Sequence, residues 1–95
     1  MRRQVLTGSR RWFDRDGALR IPGTGGRATG DSREDLYQTA SGRWILHRWS
    51  IRHGSPSQWV EISPQAAAEW LERCGYLDEA AALRRKLKRK MGASR

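Results

Sequence analysis

The chain has 95 residues, 37% of them hydrophobic, with 19 Lys and Arg against 10 Asp and Glu and a formal net charge of +9. That length leaves room for one small domain, and no apolar run approaches the roughly 20 residues of a membrane-spanning helix. The single cysteine, Cys74, excludes an internal disulfide and suits a reducing compartment. Met1-Arg2-Arg3 is followed by no apolar signal-peptide segment, so the expected location is the cytoplasm.

Residues 1–33 carry 8 basic and 3 acidic side chains, net +5. The first eleven offer only Val5 and Leu6 for burial and read as a basic arm. Trp12-Phe13 and Ala18-Leu19-Arg20-Ile21 flank an Asp16-Gly17 turn signal, which predicts a small hairpin ended by Pro22 and Gly23. Residues 23–33, rich in Gly, Ser and Thr, read as a flexible loop. Gly25 to Gly30 has the spacing of a phosphate-binding loop. Asp31, however, stands where that loop needs a lysine for the β/γ-phosphates, and a carboxylate there repels them.

Residues 34–77 carry 4 basic and 5 acidic side chains, net −1, and hold four of the five tryptophans. Leu36–Thr39 and Arg43–Ser50 are expected to pair as antiparallel strands, with Ser41-Gly42 as a two-residue turn. That register sets Thr39 opposite Trp44, Gln38 opposite Ile45 and Tyr37 opposite Leu46. Alternation then puts Tyr37, Thr39, Trp44, Leu46 and Arg48 on the expected core face. Leu36, Gln38, Arg43, Ile45, His47 and Trp49 fall on the other face, which is either covered by the N-terminal hairpin or left for binding. Trp59–Ile62 is a third strand, with Val60 and Ile62 on one side and Trp59 and Glu61 on the other.

Ser63-Pro64-Gln65 is the clearest local signal. Ser63 is a helix N-cap and Pro64 suits the first helical position. Ala66, Ala67, Trp70, Leu71 and Cys74 recur at helical spacing, and Gly75 closes the helix. Trp70 is the expected anchor against the sheet.

Residues 78–95 carry 7 basic and 2 acidic side chains, net +5. Asp78 caps a second helix over 79–91, with a thin apolar stripe of Ala80, Leu83, Leu87 and Met91. Arg84, Arg85, Lys86, Lys88, Arg89 and Lys90 form its basic side. Like charges four residues apart cost roughly 0.2–0.5 kcal/mol per pair, so the last turns are expected to fray and to firm up on a polyanion.

The expected fold is therefore α+β. A three-stranded antiparallel meander is packed by one helix, with a basic C-terminal helix, in a single small domain. Three regions divide it: 1–33, 34–77 and 78–95. The central pattern, Leu36-Tyr37-x-Thr39, Gly42-Arg43-Trp44-Ile45-Leu46, Trp49-Ser50, Gly54, Ile62-Ser63 and Ala67-x-x-Trp70-Leu71, resembles a group of small bacterial proteins associated with plasmids and other mobile elements. The resemblance covers about 40 residues. It implies a shared core shape and carries no catalytic or binding residues.

Positive charge at both ends favours an anionic partner, DNA or RNA, bound by an accessory or regulatory protein. Arg84, Arg85, Lys88 and Arg89 would supply phosphate contacts, with Arg2, Arg3, Arg10 and Arg11 as a second arm. An alternative is a protein-interaction module, such as an inhibitor or toxin–antitoxin partner, using Arg43, His47, Trp49, Arg52 and Trp59 as its surface. Glu61 and the near-neutral centre favour instead that these tryptophans are core. A third reading is a small metal-free ribonuclease using His47 or His53 with Tyr37 and an arginine. His47, His53 and Cys74 lack zinc-ligand spacing, and no motif points to a metal or cofactor.

Overall fold

The protein is described by a computed structural model over residues 2–23, 32–50 and 57–93. Its described elements are β1 (Arg3–Val5), β2 (Trp12–Asp14), β3 (Leu19–Pro22), β4 (Ser32–Gln38), β5 (Trp44–Ser50), β6 (Gln58–Ile62), α1 (Pro64–Arg73) and α2 (Leu77–Ala93). The α+β class is as expected, but the meander has four strands, β3-β4-β5-β6, and β1-β2 form a separate antiparallel pair.

Two local causes explain the differences. Asp16-Gly17 does lie at a turn, where the Asp14 carboxylate accepts the Asp16 amide at 3.1 Å. The chain nevertheless does not fold back there. Trp12 and Phe13 pair with Val5 and Gln4, while Leu19 to Pro22 join the edge of β4. The expected basic arm is thus a strand, because Leu6 (5% exposed) and Phe13 (3% exposed) together cover the sheet.

The second cause is the β4–β5 turn. It has three residues, Ala40, Ser41 and Gly42, closed by Thr39 N–H to Arg43 O at 2.8 Å. Gly42 has φ 91°, the left-handed conformation that glycine adopts without steric cost. The Thr39 hydroxyl accepts the Arg43 amide at 2.9 Å. The register is therefore Leu36↔Leu46, Tyr37↔Ile45 and Gln38↔Trp44, one residue from the expected one. A one-residue slip exchanges the faces of a strand. Leu36, not Tyr37, shares a face with Trp44 and Leu46.

Each face of the four-stranded sheet then has its own cover. Leu36, Trp44 and Leu46 pack with Ala67, Trp70 and Leu71 of α1 and Ala80 of α2. Tyr37, Ile45 and Trp59 pack with Leu6 and Phe13. Trp70 anchors the helical layer as expected. It is 2% exposed, and its indole N–H donates to Glu34 Oε1 at 3.0 Å. Ser63 caps α1 by accepting the Ala66 amide at 3.1 Å. Gly75 (φ 87°) turns the chain into α2. The outer edge of β6 is tied at Trp59, whose carbonyl accepts the Thr7 amide at 2.9 Å and whose amide donates to the Thr7 hydroxyl at 2.8 Å.

Candidate nucleic-acid interface

The second helix holds the densest run of cations. Asp78 and Glu79 in its first turn and the basic residues beyond suit the helix dipole. It is fastened to the body through Ala80, which is 1% exposed, and Leu83, which packs against the same core. Arg85, Lys86, Lys88 and Arg89 are exposed, and no carboxylate among the described residues forms an ion pair with them.

Arg84 differs from its neighbours. Its Nε donates to Glu72 Oε2 at 2.8 Å and a terminal nitrogen donates to Oε1 at 3.0 Å. This two-point grip raises the Arg84 pKa and lowers that of Glu72. Of the four cations expected on this helix, Arg84 bridges α2 to α1, and Arg85, Lys88 and Arg89 are exposed with no carboxylate partner among the described residues.

The N-terminal arginines sit on or beside the β1–β2 hairpin, most of them next to a carboxylate or a ring. Arg2 lies 4.0 Å from Asp16 and its backbone N–H donates to Asp14. Arg3 lies over the Trp12 ring at 4.3 Å. Arg11 pairs with Glu61 at 3.2 Å. Arg10 is exposed. The hairpin that carries them covers the sheet face opposite the helices, so the two basic regions do not form one surface.

Of the proposed aromatic surface, Trp59 is buried while Arg43, His47 and Trp49 are half-buried. Trp59 is 6% exposed, with the Phe13 ring 5.8 Å away and the Arg15 guanidinium over it at 4.9 Å. His47 stacks on Trp59 with centroids 3.7 Å apart and an interplanar angle of 8°. Trp49 stacks on the far side of His47 at 4.7 Å. Arg43 is half-buried and donates to Glu61 at 3.1 Å and to the Trp12 carbonyl at 3.3 Å, riveting β2 to the sheet. Arg52, His53 and the Gly25–Gly30 loop lie outside the described residues.

Sequence reasoning missed one cluster. Asp35, 4% exposed, faces His47 across the strands and accepts from Arg20 at 2.8 and 2.9 Å and from the Gly23 amide at 3.1 Å. His47 Nε2 is buried without a hydrogen-bond partner. Burial is the main cause that lowers its pKa; Asp35 raises it, and Arg15 and Arg20 lower it. The signal was the alternation of Arg33, Asp35 and Tyr37, which only the correct register places beside His47. Among the described residues, no three His, Cys, Asp or Glu side chains are grouped to hold a metal ion, and no helix is long and apolar enough to cross a membrane.

No family model, curated protein or solved structure matches this chain.

Proposed function

We propose that this protein binds nucleic acid through phosphate contacts from the exposed side of α2 and acts as an accessory or regulatory factor rather than an enzyme. One observation carries the reading. Arg2, Arg11, Arg20, Arg43, Arg48 and Arg84 each lie beside a carboxylate, whereas Arg85, Lys86, Lys88 and Arg89 stand together on one helix in solvent with no carboxylate partner among the described residues. Like charges held within one or two helical turns repel. A polyanion relieves that repulsion and releases its own counterions.

The other readings have less support. A protein-binding tryptophan face is weakened by the burial of Trp59 under Phe13. A ribonuclease needs an accessible proton carrier, and His47 presents a buried Nε2 clamped between two indoles.

The test is fluorescence anisotropy with short DNA and RNA at low salt, using the full chain and an Arg85→Glu/Arg89→Glu variant. The variant should keep its circular dichroism spectrum and lose binding. Equal binding by the two proteins would reject the reading.

A further inference from the structure

The arrangement of cations around α2 discriminates among nucleic acids. Ala80 and Leu83 pack on the body, and with about 100° between successive helical residues the half-buried Leu87 lies in the same direction. Arg85 and Arg89 then lie within about 30° of the opposite direction, and Lys86 and Lys88 fall roughly 80° to either side. The two arginines are about 6 Å apart along the axis. Ahead of them Ala81 and Ala82 are exposed and add little bulk. Asp78, nearly in line with the arginines, sits about 10 Å earlier and repels phosphate, which confines the contact to the C-terminal half.

From this placement we infer that α2 enters the major groove of duplex DNA, with Arg85 and Arg89 facing base edges and Lys86 and Lys88 reaching the two phosphate walls. The inference rests on the nucleic-acid reading above and adds the partner's class and the groove. Its geometry is selective. A helix about 10–12 Å across fits a groove about 12 Å wide but not the DNA minor groove, about 6 Å wide. The major groove of duplex RNA is too deep and narrow for side chains to read. Central arginines flanked by lysines also divide the work chemically. A planar guanidinium donates two parallel hydrogen bonds to guanine O6 and N7, while an ammonium on a flexible stem suits a phosphate oxygen. Guanine-containing steps are thus the preferred sites.

The test compares three ligands of one mixed sequence: a DNA duplex, the same duplex with 7-deazaguanine, and the corresponding RNA duplex. Binding is measured for the full chain and for Arg85→Lys/Arg89→Lys, which preserves charge at exposed positions. The unmodified DNA duplex should bind roughly tenfold tighter than either of the others. In the lysine variant the ratio between guanine and 7-deazaguanine duplexes should fall toward one. If all three duplexes bind equally well, phosphate contact stands and the groove assignment is overturned. If none binds at low salt, both readings fall together.

Discussion

Arg84 and Glu72 join the two helices by paired hydrogen bonds of 2.8 and 3.0 Å, which leaves one fewer unpaired cation on α2. Glu72→Gln frees that guanidinium and raises net charge by one. Affinity for short DNA should therefore increase at low salt, with the gain shrinking as salt rises. Arg84→Ala should lower affinity less than Arg85→Ala. Anisotropy titrations of the three variants check the ranking.

Phe13 is the wedge by which the N-terminal hairpin covers the sheet. It is 3% exposed and contacts the rings of Tyr37 and Trp59, with centroids 5.9 and 5.8 Å away. Phe13→Ala should destabilise the fold by about 3–5 kcal/mol, read from denaturant midpoints at unchanged slope. It should leave DNA affinity of the folded protein unaltered, since α2 lies across the sheet.

The His47 stack makes stability depend on pH. Burial lowers the His47 pKa in the folded protein from its ordinary 6.5. The unfolded chain therefore takes up the proton first as pH falls. Stability is fully present above about 6.5 and declines as pH drops below it, until the folded state also protonates. His47→Phe keeps a ring between Trp49 and Trp59 and removes the titration. Urea unfolding above and below that pH should show a smaller decline for the variant than for the parent. Equal declines would mean that His47 is not the group responsible.

Gly23 occupies a place where no larger residue fits. A Cβ there would run into the Glu34 carbonyl oxygen and meet the Trp70 ring at 3.5 Å. Gly23→Ala should cost about 1–3 kcal/mol by forcing the Gly23 backbone away from the Glu34 carbonyl on β4. Thermal unfolding followed by tryptophan fluorescence reads the loss.

Signals carried by a few adjacent residues were legible in the sequence. Ser63-Pro64 marked the start of α1, Trp70 was the anchor, and Val60 and Ile62 lie on one side of β6, with Ile62 packed against the helical core and Val60 exposed. Features set by distant contacts were not. The β4–β5 register turns on a single glycine with positive φ, and Ser41-Gly42 fits a two-residue turn equally well on paper. The slip concealed the Asp35–His47 pairing and moved Leu36 to the helix-packed face. The N-terminal strand was hidden for a related reason. Arg3-Gln4-Val5 has no alternation of its own and becomes a strand only because Trp12 and Phe13 return alongside it. For the cationic site, Arg85, Lys88 and Arg89 could be read from composition and helical spacing. The removal of Arg84 required knowing that Glu72, on another helix, lies within reach.

The account depends on the solvent-facing cations of α2, and the salt dependence of binding tests it most directly. For duplex DNA, the slope of log affinity against log salt should be steep in the wild-type chain. It should become shallower by about 2 when Lys86 and Lys88 are both changed to alanine, since each phosphate that is no longer neutralised removes roughly 0.9 from the slope. An unchanged slope in a variant that still folds would contradict the account.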